Sequence, residues 1–174
     1  LLQRAKSGKG CRVSTSLYAA ALASLANQAT NWLIAGYSPQ RMGSQHPNIA
    51  PYGDIFQTAD GKMLVLAIGV ERHFQKLCTV LGAAQLADDP RFKQNADRVK
   101  HRAALIPLLQ ERIGQFENRD TFLQLLHDAG LPGGAIRDLP DVFQQPLAQA
   151  LLVEGMDDQG QPIRTVRSTV FEID

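Results

Sequence analysis

His46 and Arg41 are the side chains whose chemistry and setting stand out. Both lie in Arg41–Gly61, RMGSQHPNIAPYGDIFQTADG, a polar run with no hydrophobic period. An imidazole titrates near neutrality and can give or take a proton. A guanidinium can grip a carboxylate or phosphate through paired hydrogen bonds. The plainer uses are a turn-holding hydrogen bond for His46 and a boundary salt bridge for Arg41. His73, His101 and His127 share no HxxxH or CxxC spacing, so no zinc site is expected. GxSxG, Walker and GxGxxG patterns are missing, and Gly130–Gly134 opens no helix suited to holding phosphate. Asp88–Asp89 and Asp157–Asp158 are neighbours in sequence, and adjacent side chains do not converge on one atom in a helix or strand. No complete catalytic constellation is present.

The elements around this run must position it. Pro39, Pro47 and Pro51 fix φ and restrict the residue before each, which stiffens the segment; Gly43 and Gly53 permit turns or close backbone approach. A shaped polar connection of this length marks a functional loop or a domain crossing. Upstream, LLQRAKSGKG resembles the last turns of a helix, so the chain is expected to begin inside one and to be a fragment. CRVST (11–15) alternates as a strand does, and Leu17–Ala35 is expected to form one largely buried helix ending at Gly36. Downstream, Asp60-Gly61 between apolar runs predicts a hairpin joining Ile55–Thr58 to Met63–Ile68. Helices follow over Glu71–Leu81, from Asn95 as cap with a kink or break at Pro107, and from Asn118 or Asp120 to Gly130. Leu131–Ile136 is a turn and short strand, Asp138–Gln144 and the residues from Pro146 are brief helices, and Leu151–Met156 pairs with Ile163–Val170. The divisions expected are 1–40, the tail of a large domain; 41–61, a crossing; 62–153, a small α+β domain; and 154–174, a returning hairpin.

With 174 residues and a net charge of +1, the chain can bury a core but carries no global field suited to nucleic acid or an acidic membrane. Cys11 and Cys78 read as two buried free thiols, which suits the cytoplasm better than a disulfide framework. No run reaches membrane-spanning length without polar interruption.

Four ordered motifs carry a resemblance further. SGKGCRVSTSL, SPQRMGSQHPNIAPYGDIFQTADG, DDPRFKQNADRVKHR and AGLPGGAI together resemble family III CoA-transferases, the CaiB/BaiF group that includes formyl-CoA transferases, from end to end. The resemblance implies an α/β fold: the carboxy-terminal part of a Rossmann-like large domain, plus a small α+β domain, in an interlocked homodimer. It implies CoA transfer between carboxylic acids, with an acyl-CoA thioester and an acid acceptor as substrates and no permanently bound cofactor. An Asp nucleophile would pass through a mixed anhydride and an aspartyl-CoA thioester. That Asp is expected before Leu1, since none of Asp54, Asp60, Asp88 or Asp89 takes its place; the chain alone would then be inactive. The covering loop of the family corresponds here to Gly43–Asn48, so Gly43, Ser44, Gln45 and His46 are the expected substrate contacts, with Arg41 or His46 a partner for a dicarboxylate. The family's run of glycines is replaced by SQHPNIAP, so formate and oxalate do not carry over. An acyl-CoA racemase of the same superfamily and a non-catalytic binding subunit are the alternatives.

Overall fold

The computed structural model describes residues 1–168. It forms two units, Leu1–Gly43 and Ser44–Asp174. Helices and strands are mixed, as the α/β class requires.

The first unit holds α1 (Leu2–Ser7), α2 (Leu17–Ser24) and α3 (Ala26–Ala35). Gly8 and Gly36 end α1 and α3 at φ 69° and 65°, a conformation glycine adopts without steric cost. Ser16 caps α2, its Oγ accepting from the Ala19 N–H at 3.1 Å. Four expectations fail here. The single helix over Leu17–Ala35 is two, divided at Leu25, and nothing in the local sequence marks the break. None of their residues is buried, and Leu17, Trp32, Leu33 and Ile34 are exposed, because three short helices supply too little chain to cover a helix that is apolar all round. Residues 11–15 form no strand: a ladder needs a second strand, and among the described residues this unit has none. Cys11 is exposed, not buried.

The second unit is built on an antiparallel sheet in the order β1 (Tyr52–Gln57), β2 (Met63–Ala67), β3 (Gly133–Ala135). The Asp-Gly hairpin joins β1 to β2, with Phe56 opposite Leu64 and an irregularity between Tyr52 and Ile55. Asp60 Oδ1 stabilises the turn by accepting from Thr58 Oγ1 at 2.5 Å. Alternate residues of β2, Leu64 and Leu66, with Ile68 beyond its end, point into the core. Against them pack α4 (Glu71–Val80) through Phe74, Leu77 and Cys78, and α5 (Gln85–Asp88) through Leu86. After α6 (Asn95–Lys100) comes α7 (Arg102–Ile113), which buries Leu105, Leu109 and Ile113 at i, i+4 and i+8; α8 (Arg119–Asp128) adds Phe122 and Leu126. The helical break falls at His101, not at Pro107, which sits exposed inside α7. Pro107 removes one N–H from the helix, at a position where both it and Ala103, one turn before, are exposed.

Asn118 caps α8 as expected, accepting from the N–H groups of Asp120 and Thr121. Asn95 does not cap α6: Gln94 holds that position, and the Asn95 side chain is used elsewhere. Short helices α9 (Leu139–Phe143) and α10 (Pro146–Gln149) lead to the hairpin β4 (Leu152–Met156) and β5 (Pro162–Val166). The expected end of that hairpin, at Val170, lies outside the described residues. Among the described residues no helix is long and apolar enough to cross a membrane.

Candidate functional site

The segment from Ser44 to Asp54 folds into a closed loop that runs into the first residues of β1. The His46 N–H donates to the Tyr52 carbonyl at 2.9 Å, and Ser44 Oγ donates to the Gly53 carbonyl at 2.6 Å. Gly53 lies at φ 76°, and a Cβ there would stand 2.0 Å from the Ser44 carbonyl oxygen, so the crossing has room only for glycine. Inside the loop the Asn48 N–H donates to His46 Nδ1 at 3.1 Å. An accepting Nδ1 is unprotonated, which puts the ring proton of neutral His46 on Nε2. The ring meets Tyr52 edge-on, 5.5 Å between centroids.

Loop carbonyls turned away from solvent need donors, and α6 and α7 supply them. Asn95 and Arg98 stand at i and i+3 on α6, and Arg102 opens α7 beyond the break at His101. Asn95 brackets the loop, giving a hydrogen bond to the Asn48 carbonyl at 2.8 Å and taking one from the Ala50 N–H at 3.1 Å. Arg98, fully buried, donates from Nε to the Ala50 carbonyl at 2.7 Å and from Nη1 to the Phe92 carbonyl at 2.9 Å. Its charge is met by Glu71 Oε2 at 2.6 Å and by the Phe74 ring, 4.4 Å from Cζ. Arg102 Nη2 donates to the His46 carbonyl at 2.6 Å and the Ile49 carbonyl at 2.5 Å. Its Nη1 is buried without a hydrogen bond, 3.8 Å from Asp54 Oδ1.

Asp54 closes the circuit. Gln45 Nε2 donates to its Oδ1 at 2.7 Å and the Tyr52 N–H to its Oδ2 at 3.1 Å. Burial pushes its carboxyl above the usual aspartate value, outweighing Arg102 and the two hydrogen bonds, which pull it down. Glu71 shows the opposite balance: burial raises it, but the hydrogen bonds from Arg98 and the Asn95 N–H together hold it below its ordinary value. An open groove of about 570 Å³ runs beside the loop, lined in part by Gln45, Lys100, Arg102 and Ile106. Among the described residues no group of three His, Cys, Asp or Glu side chains could hold a metal ion.

Of the residues singled out from sequence, Ser44, Gln45 and His46 meet in this loop. Arg41 and Gly43 belong to the first unit, and Arg41 is exposed. Arg98, Arg102 and Glu71 were not singled out as site residues; Asn95 was read as a helix cap, and Asp54 as an aspartate outside the nucleophile's place. A usable signal existed for three of them: Asn-x-x-Arg-x-x-x-Arg has helical spacing, and polar residues so spaced can turn inward when they find carbonyls to satisfy.

Residues 1–172 match CoA-transferase family III. The succinate–glutarate CoA-transferase of Agrobacterium fabrum is 35% identical over 173 residues, covering 98% of this chain and 42% of that protein. The human succinyl-CoA:glutarate CoA-transferase is 34% identical over 146 residues, 84% of this chain and 33% of its own length. A CaiB/BaiF family protein from Brucella suis, solved by crystallography, superposes with a TM-score of 0.69 at 42% identity, covering 99% of this chain and 44% of that one. The chain therefore spans less than half the length of the relatives it matches.

Proposed function

The chain belongs to CoA-transferase family III, and from that premise we propose that the protein carrying it moves coenzyme A from an acyl thioester to a free dicarboxylate. The carrying observation is the match over residues 1–172, joined to relatives named for succinate and glutarate. In this reading an Asp encoded before Leu1 attacks the thioester carbonyl and expels CoA thiolate, leaving a mixed anhydride. The thiolate then attacks the enzyme's acyl carbon, which releases the donor acid and forms an aspartyl-CoA thioester. The acceptor acid repeats the two steps in reverse order.

Water would hydrolyse both intermediates, so the site needs a cover. The loop containing Ser44, Gln45 and His46 supplies it. Its hydrogen bonds, internal and from α6 and α7, make it a stiff plate that in this reading carries Ser44, Gln45 and His46 to the acyl group. Arg41 is a second candidate for the distal carboxylate.

The test uses the full-length protein with succinyl-CoA and glutarate. Glutaryl-CoA and succinate should form in equal amounts, and hydroxylamine should trap a single Asp as its hydroxamate. Loss of thioester to water alone would overturn the proposal. So would deuterium exchange at the α-carbon without transfer, which would favour the racemase.

A further inference from the structure

Many of the hydrogen bonds that shape the loop come from outside it, from Asn95, Arg98 and Arg102. Arg102 is the residue with the widest grasp. One nitrogen, Nη2, holds the His46 and Ile49 carbonyls, while the opposite nitrogen faces the buried carboxylate of Asp54, which in turn holds Gln45. Arg102 thus touches both ends of the Gln45–Asp54 stretch. We propose that Arg102 is a positioning residue for CoA transfer: by fixing the His46 carbonyl and, through Asp54, the Gln45 amide, it sets where these two side chains stand over the reacting acyl group. The inference rests on the function proposed above and deepens it.

The geometry separates this role from general support of the core. Arg119 is also buried and also donates to a carbonyl, that of Ile136 at 3.0 Å, but it reaches no residue of the loop. It is the natural control. A Lys at either position keeps the charge and loses the fork. A single ammonium cannot hold two carbonyls and face Asp54 from the planar geometry a guanidinium provides. Misplacement of a covering residue by a fraction of an ångström lowers turnover much more than it lowers binding.

The experiment compares wild type, Arg102→Lys and Arg119→Lys in the full-length protein. It measures thermal midpoint, kcat and KM for transfer, and the fraction of thioester lost to water. Arg102→Lys should lower kcat by about tenfold or more, change KM by less than about threefold, and raise the hydrolysed fraction several-fold. Arg119→Lys should lower the thermal midpoint while leaving the transfer-to-hydrolysis ratio unchanged. An Arg102→Ala protein should recover part of its transfer rate with added guanidinium. An unchanged ratio in folded Arg102→Lys overturns the inference, and so does an equal change in Arg119→Lys. If wild type itself transfers no CoA, the proposed function fails instead. Amide exchange at His46 and Tyr52 then decides the structural half: faster exchange in Arg102→Lys alone upholds the grip on the loop, and unchanged exchange refutes it.

Discussion

At Gly53 a single methyl group would collide with the Ser44 carbonyl, in a backbone conformation that also disfavours any L side chain. Gly53→Ala is therefore expected to destabilise the protein by more than about 2 kcal/mol, read as a fall in the denaturation midpoint. A change within about 0.5 kcal/mol would mean that the crossing at Ser44 is looser than described. Cys78 is the other residue with a sharp expectation. Burial pushes its thiol up to about 12, against the weaker opposing pull of Arg98. Iodoacetamide at pH 8 should leave Cys78 unmodified in the native protein and label it after denaturation; native labelling at the rate of a free thiol would contradict its burial. Single residues were the least legible scale in the sequence. His46 drew notice because histidine in a loop is chemically conspicuous, while Arg98 and Arg102 entered only as part of the motif DDPRFKQNADRVKHR. Their burial depends on carbonyls presented by a loop about 50 residues away, which no local pattern records.

Elements were easier to read, because hydrophobic period and turn chemistry are local. The Asp-Gly hairpin, α4, the Asn118 cap of α8 and the helix starting at Pro146 all stand close to where pattern placed them. Three of the misses have one kind of cause: the strand at residues 11–15 and the buried Leu17–Ala35 helix needed partners that local pattern cannot supply, and Asn95 was drawn from capping to the loop. The junction of α4 and α6 carries a pH prediction. Glu71 is held below its ordinary value, so it adds stability that is present above 4.5 and is lost as pH falls through its lowered pKa. Glu71→Gln leaves the Arg98 charge buried without its counter-ion. Wild type should therefore be more stable than Glu71→Gln at pH 7, with the gap closing as pH drops below the glutamate range. A gap that is constant with pH would show that the hydrogen bond matters and the charge does not.

For the whole molecule, the two units differ in how much of their own structure they explain. The second unit has a continuous core from Phe56 to Leu131. The first exposes Leu17, Trp32, Leu33 and Ile34 and buries nothing, and the relatives it matches are more than twice as long. Family and α/β class were legible because four motifs recur in order along the chain. Substrate and nucleophile were not, because no motif in the sequence reads as a complete catalytic constellation. The most direct measurement of the central claim follows oxygen. Glutarate labelled with oxygen-18 in its carboxylates is supplied with succinyl-CoA to the full-length protein in ordinary water. If an enzyme carboxylate is acylated under the loop and shielded from solvent, each turnover passes one oxygen from acceptor to enzyme and from enzyme to donor, so the released succinate gains oxygen-18. Succinate whose new oxygen comes from water would contradict the account.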